Sequence, residues 1–220
     1  MIGIYGAGAL SGDVLDSIQA AKGRTLEVNE LIVIDDVTEK TEHLGYRVMP
    51  FTSACEEYTP EQLRICVAVA DPKGRSAVCD RVAKAGYSFY TAIHPTAHID
   101  STAIIGDGTC IRRDVLVGPR VVIGSNVHIQ ARTAVSHDSV VGDCSHIAFG
   151  CIVNGGTSVG ERVYMGSGAI IRERTQIGED SIVSMGAVVL KDVPSGMVVM
   201  GNPARVIAKN SDGVAFVSNA

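Results

Sequence analysis

The chain has 220 residues, with 19 Lys and Arg against 24 Asp and Glu, a net charge of −5, 5% aromatic residues and no Trp. That length allows one large domain or two small ones. It shows neither the basic stripe of a duplex or RNA binder nor an aromatic platform for stacked bases, so no nucleic-acid partner is expected. No segment reaches the length of an apolar membrane span, and the N-terminus runs straight into a strand rather than a signal peptide; no membrane insertion is expected. The six cysteines, at positions 55, 66, 79, 110, 144 and 151, form no CxxC pair or compact disulfide spacing. Packing roles in a reducing cytoplasm fit them, with Cys110 and Cys151 read as filling small slots of a repeat.

Met1–Tyr5 reads as a short apolar strand, followed by the turn Gly6-Ala7-Gly8-Ala9-Leu10-Ser11-Gly12 and a helix to about Ala21. Leu31–Ile34 is a second strand ending in Asp35 and Asp36. Ile65–Ala70 is a third, and Ser76–Ala85 the helix after it. Strand, glycine turn, helix, strand and acidic end form the βαβ grammar of a nucleotide-binding half-domain. The glycines let backbone N–H groups and a helix N-terminus approach phosphate. The last glycine falls one place later than in the dinucleotide fingerprint, and about ninety residues make only half a dinucleotide fold. A whole NAD-dependent dehydrogenase is therefore disfavoured, and a domain for one nucleotide or nucleotide-sugar fits. Asp35 and Asp36 close a strand where ligands meet α/β sheets, and are read either as ligand contacts or as solvated strand-end acids.

From Ile93 to Pro194 the chain repeats every six residues, seventeen times, without insertion. Each hexad begins with Ile, Val or Met, and four places later carries a small or β-branched residue. A helix of 3.6 residues per turn smears a period of six around its surface, whereas short strands separated by corners hold it. Gly follows the aliphatic residue in seven hexads, as at Gly106, Gly118, Gly142 and Gly178. The pattern predicts a parallel β-helix with three hexads per triangular coil. Its flat sides invite packing against copies of itself. The outward positions carry irregular His, Asp, Arg and Asn residues rather than a Thr ladder, which favours a binding surface over an inert scaffold.

Coil spacing ranks the histidines. His137 and Asp138 share one hexad and His146 ends the next, half a coil away, so the two imidazoles are expected on neighbouring edges of one groove. Gly155 follows His137 by one coil, and its missing side chain leaves space beside the imidazole. His128, His146 and Tyr164 form an outward column, in which a metal triad lacks an evident third ligand. Imidazole suits proton removal near neutrality, and Asp138 is placed to orient it; the alternative is packing against a neighbouring prism. His43 reads as a surface residue, and a thiol mechanism at Cys144 has no other nucleophile signal behind it.

Taken together, Ile4-Tyr5-Gly6-Ala7-Gly8, Ile34-Asp35-Asp36, Arg75, Ile93-His94-Pro95-Thr96-Ala97, the hexads, Val135-Ser136-His137-Asp138, Gly142-Asp143-Cys144-Ser145-His146-Ile147-Ala148 and Gly201-Asn202-Pro203-Ala204-Arg205 carry a family resemblance. Over nearly the whole chain the sequence resembles the bacterial sugar acetyltransferases that join a Rossmann-like N-terminal domain to a left-handed β-helix. These are the sialic-acid O-acetyltransferase and bacillosamine-precursor N-acetyltransferase group. The resemblance implies a nucleotide-sugar-binding domain over 1–92, an acetyltransferase β-helix over 93–194 and a C-terminal cap and tail over 195–220. It implies a cytoplasmic homotrimer with acetyl-CoA as co-substrate, held between two prisms, and a nucleotide-activated sugar as acceptor. His137 is implied as general base supported by Asp138. His146 and the backbone near Gly155 are implied on the acetyl-CoA side. Gly6, Gly8, Leu10, Asp35, Asp36 and Arg75 are implied on the sugar side, with no resident metal. Three positions depart from the pattern. Leu10 stands where the family carries a sugar-approaching histidine, Gln130 replaces an asparagine, and Asp138 replaces a glutamate one methylene longer. Leu10 favours a 6-deoxy methyl group over a hydroxymethyl or carboxylate. The expected reaction is N-acetylation of the 4-amino group of a nucleotide-linked deoxyamino sugar. The alternatives are sugar O-acetylation of the sialic-acid type and a non-catalytic sugar-nucleotide scaffold.

Overall fold

A computed structural model describes residues 1–211; the remainder of the expected tail, 212–220, lies outside the described residues. β1 (Ile2–Tyr5) and β2 (Leu31–Ile34) are buried along their whole length, as continuous apolar runs in the middle of a parallel sheet should be. With β3 (Glu42–His43), β4 (Tyr46–Met49), β5 (Arg64–Val67) and β6 (Ser88–Phe89) they form a sheet of order β3-β4-β2-β1-β5-β6. Every pairing is parallel except the β3–β4 hairpin. The chain leaves β1 to β2 on one side and returns to β5 on the other, so the switch point lies at the carboxyl end of β1. The expected strands and helices are present with shifted ends. α1 (Ala9–Lys22) begins inside the expected turn, so Ser11 and Gly12 are helical. α3 (Pro72–Lys84) starts at a proline capped by Asp71, whose side chain accepts from the Gly74 N–H at 2.8 Å. The β3–β4 hairpin and α2 (Phe51–Glu57) were not expected. Their strands are too short to show alternation.

Beyond β6 the chain becomes a β-helix of two-residue strands, from Ala92–Ile93 to Val188–Val189. Each strand pairs in parallel with the one 18 residues on, as Ala92 does with Cys110 and Cys110 with His128. The strands form three sheets, here called faces. The first carries Ala92–Ile93, Cys110–Ile111, His128–Ile129, His146–Ile147, Tyr164–Met165 and Ile182–Val183; the second starts at His98–Ile99 and the third at Ile104–Ile105. Hexad aliphatics fill the interior. Where the small slot is polar it is mostly satisfied: Ser139, Ser145 and Thr157 each donate a hydroxyl to a carbonyl of the next coil at 2.8–3.2 Å, whereas the buried Thr175 hydroxyl has no partner among the described residues. At each corner from Gly108 to Gly186 the residue three places after the aliphatic has positive φ, Asp114, Arg120, Asp138 and Asp180 among them. The coil thus imposes a left-handed backbone on residues that seldom adopt it. A Cβ on Gly142 would lie 2.6 Å from the Glu161 nitrogen, which explains the glycine that follows so many aliphatics.

The first face is covered by the N-terminal domain. α1 packs on Ala92–Ile93 and Cys110–Ile111. Arg112 pairs with Asp13 at 2.8 Å and Asp16 at 3.2 Å, and Arg113 with Asp16 at 2.8 Å. Cys151 sits in the coil interior as expected, but Cys110 points the other way, into the core formed by α1, β1 and β5. It occupies the strand position before the aliphatic, whose side chain faces outward. The second and third faces remain open, with Leu116 54% and Ile104 63% exposed. Met197–Gly201 extends the first face and Ala204–Lys209 folds back on it, burying Val199 in the coil core and closing the final edge. Among the described residues no helix is long and apolar enough to cross a membrane.

Candidate active site

His137 sits at the corner between the second and third faces, beside a groove of about 380 Å³ lined by His98, Leu116, Gly118, Ala134 and Ser136. Its carbonyl accepts from the Gly156 N–H at 2.9 Å and the Asp138 N–H donates to the Pro119 carbonyl at 3.0 Å, so the corner is tied to both neighbouring coils. The side chain is 62% exposed, and Nδ1 lies 2.8 Å from Asp138 Oδ2. Asp138 is also gripped by Arg120, one coil earlier, through Nε–Oδ1 at 2.6 Å and Nη2–Oδ2 at 2.9 Å. Arg120, and then His137, hold the Asp138 carboxyl well below the usual carboxylate range. An ionised Asp138 keeps the proton on Nδ1 and leaves the Nε2 lone pair free. The shorter acid still reaches the imidazole, from a corner residue at left-handed φ of 60°.

Gly155 is placed as the coil spacing predicts. A Cβ there would lie 2.6 Å from His137 Cε1 and 2.7 Å from Nε2, so only glycine leaves the ring its position. Arg120 was not singled out from the sequence, although its distance of one coil from Asp138 is the signal that finds it.

His146 does not share this edge. It lies on the first face, across the prism from His137, and is almost fully buried under the N-terminal domain. Its ring stacks between His128, at 6.1 Å and 8°, and Tyr164, at 5.3 Å and 25°. His128 donates from Nε2 to the Val67 carbonyl at 2.8 Å. Burial pushes the His146 pKa down to about 3 and that of His128 well below its ordinary value. The expected shared groove for His137 and His146 is therefore corrected within one chain. Hexad spacing gives the distance between corners but not which face another domain covers. Parallel stacked rings also cannot converge their lone pairs on one ion.

Arg75 requires a second correction. It is fully buried and donates to the carbonyls of Asn126 (2.9 Å), Cys144 (2.7 Å), Ala70 (3.2 Å) and Val69. It clasps α3 to the coil corners and, with no exposed surface, cannot meet a sugar; burial lowers its pKa to about 10.

At the N-terminal switch point a cavity of about 350 Å³ is lined by Tyr5, Gly6, Asp35, Asp36, Val69 and Arg81, among others. Gly6 has φ 119°, and a Cβ there would meet the Ala68 carbonyl at 2.8 Å. Gly8, the N-cap of α1, borders open space. Asp35 accepts from the N–H groups of Ala7 (2.7 Å), Val37 (2.9 Å) and Thr38 (2.9 Å); these bonds outweigh burial and lower its pKa. Asp36 accepts from Tyr5, from Arg81 at 2.5 Å and from the Phe51 N–H at 2.9 Å. Both acids line the cavity while holding its walls. Leu10 is half-buried in the first turn of α1. His43 is not a free surface residue: its Nε2 lies 2.7 Å from Ser11 Oγ.

A family model described as the PglD N-terminal domain matches residues 1–82. The acetyltransferase domain of PglB from Neisseria gonorrhoeae FA1090 is 31% identical, with TM-score 0.85 over 94% of this chain and 98% of that one; a second structure of it holds acetyl coenzyme A. PerB from Caulobacter crescentus, in complex with CoA and GDP-perosamine, is 29% identical, with TM-score 0.86 over 94% and 97%. WeeI from Acinetobacter baumannii AYE is 28% identical, with TM-score 0.74 over 94% and 99%. A search of curated proteins returned no match. Fold and likeness together define a CoA-dependent acetyltransferase. The chain belongs to the left-handed β-helix, hexapeptide-repeat nucleotide-sugar N-acetyltransferases, the family of the PglD-like, perosamine and WeeI-like proteins.

Proposed function

We propose that this chain transfers the acetyl group of acetyl-CoA to the 4-amino group of a nucleotide-linked deoxyamino sugar. Residues 1–92 bind the nucleotide-sugar, residues 93–194 carry the transfer site and residues 195–220 form the cap and tail. The observation that carries the reading is the Arg120–Asp138–His137 chain, which ends in a free Nε2 beside Gly155. A histidine-to-alanine variant of the Caulobacter enzyme, solved with CoA and GDP-perosamine, supports a histidine as the working group. The amine attacks the thioester carbon, a C–N bond forms, and His137 Nε2 takes the nitrogen's proton. The C–S bond then breaks, and the imidazolium returns the proton to the departing thiolate. The Gly155 N–H, which has no backbone acceptor among the described residues, is the nearby donor for the oxyanion. No acyl-enzyme is needed, because an unprotonated amine is already nucleophilic.

The working form is a trimer, with acetyl-CoA between prisms. In support, the second and third faces present Leu116, Ile152, Ile104 and Val140 to solvent while the N-terminal domain covers the first. Under this reading His146 acts by supporting the domain contact on which the groove is built, rather than by touching the donor. The protein works in the cytoplasm, where its six unpaired cysteines fit a reducing medium. Turnover of a panel of amino and hydroxy nucleotide sugars with acetyl-CoA, read by thiol release and product mass, tests the reaction. Acetylation of free sialic acid with no nucleotide sugar turned over replaces this reading with the O-acetyltransferase one. Light scattering that finds an active monomer of 23.1 kDa sinks the trimer.

A further inference from the structure

Leu10 leaves the first turn of α1 without a polar side chain toward the acceptor, yet a histidine from another element reaches the same turn. Leu44 and Gly45, at φ 55° and 81°, close the β3–β4 hairpin in a two-residue turn. The hairpin is pinned by Tyr46, directly across from His43. The Tyr46 hydroxyl donates to the Leu26 carbonyl at 2.9 Å and accepts from Gln19 of α1 at 3.2 Å. This fixes His43 against the neighbour of Leu10. Ser11 Oγ donates its one proton to the Gly8 carbonyl at 2.6 Å, so at 2.7 Å from His43 Nε2 it must accept. The imidazole therefore carries hydrogen on Nε2. Nδ1 is left as a lone pair with no hydrogen-bond partner among the described residues, on a half-buried ring held against the first turn of α1.

We propose that His43 is an acceptor-binding residue. Its Nδ1 takes a hydrogen bond from a hydroxyl of the nucleotide-linked sugar, and so supplies from the hairpin the contact that Leu10 cannot make. This rests on the nucleotide-sugar reading above. It assigns the hairpin the choice of sugar and leaves the nucleoside to the cavity at Asp35 and Asp36.

The test uses full-length protein, acetyl-CoA and the best-turned-over acceptor among GDP-perosamine and UDP- and dTDP-linked 4-amino-4,6-dideoxyhexoses. His43→Ala and the ring-preserving His43→Phe should each raise the acceptor KM about tenfold, the worth of one buried hydrogen bond. Acetyl-CoA KM, melting temperature and calorimetric affinity for the free nucleoside diphosphate should stay the same. His43→Gln, which donates and accepts at similar reach, should keep most of the affinity. Leu10→His added to His43→Ala should restore it. An unchanged acceptor KM in both His43→Ala and His43→Phe, with wild-type turnover intact, overturns the proposal and spares the nucleotide-sugar reading. A parallel loss of melting temperature and nucleotide affinity in His43→Phe also overturns it, by making His43 a prop for α1. Wild-type protein that binds none of UDP, GDP, dTDP or CMP, and acetylates none of the sugars, overturns the nucleotide-sugar reading and the proposal with it.

Discussion

Two histidine settings half a coil apart show how little residue type says about chemistry. At the open corner, His137 has a carboxylate on one nitrogen and Gly155 packed beside the other. On the covered face, His146 lies between two rings with its Nδ1 unpartnered and no acid beside it. The first ring is 62% exposed, whereas burial penalises the charged form of the second. The difference comes from the N-terminal domain, which covers one face of the prism and leaves the opposite edge free. Arg75 shows the same rule for a cation. Its guanidinium meets only carbonyl oxygens, so it joins domains instead of meeting substrate.

The comparison breaks most directly at His137. His137→Ala should lower kcat by about 10²–10⁴, the usual worth of positioned proton transfer, with CoA binding and assembly unchanged. Near-normal turnover of this variant across pH 6–9 would make the corner no different from the covered face. Gly155→Ala should come next, because its methyl group occupies the ring's place and forces the imidazole off Asp138. A loss of about 10²-fold in kcat is expected with melting temperature unchanged, and full activity would mean that the ring's position is not required.

Asp138→Asn should cost roughly 10–30-fold, as the loss of one charge-assisted hydrogen bond. Arg120→Ala should cost less than about fivefold, because the pair is exposed. Since Asp138 stays ionised well below the usual carboxylate range, the factor lost in Asp138→Asn and in Arg120→Ala should stay constant from pH 5 to 9. Steady-state kinetics of the two variants from pH 5 to 9 separate these outcomes.

The effect specific to the covered face is on stability. His146 has its pKa depressed to about 3 in the folded chain, below its ordinary value of about 6.5. The unfolded chain therefore binds the proton first. The histidine's neutral burial contributes full stability above that ordinary value, and the contribution is lost as pH falls toward the folded value. At pH 5 the loss is about 2 kcal/mol for this residue. His146→Phe should leave kcat at pH 8 within about twofold, since no proton transfer in the reaction is assigned to this ring. It should also flatten the fall in melting temperature between pH 7 and 5. An unchanged pH slope in scanning calorimetry would show that the ring is not held neutral by burial.

Much of the molecule was legible in the chain because β-helix coils are local and periodic. The stacking partner of every hexad residue lies 18 places away, so the aliphatic columns and the Gly155–His137 contact follow from counting. The β3–β4 hairpin was not legible, since strands of two and four residues carry too little alternation, and with it the contact made by His43 was missed. The roles of Arg75 and His146 were hidden for another reason. Both depend on how α1 and α3 dock on the first face, a contact between residues 51 to 69 positions apart that no period records. Local backbone geometry repeats with the sequence, so the sequence by itself determined the coil, its core and the edge that presents His137. Burial is a property of surfaces brought together from distant segments. Only the tertiary structure decided which histidine is left free to move a proton and which polar groups hold the two domains together.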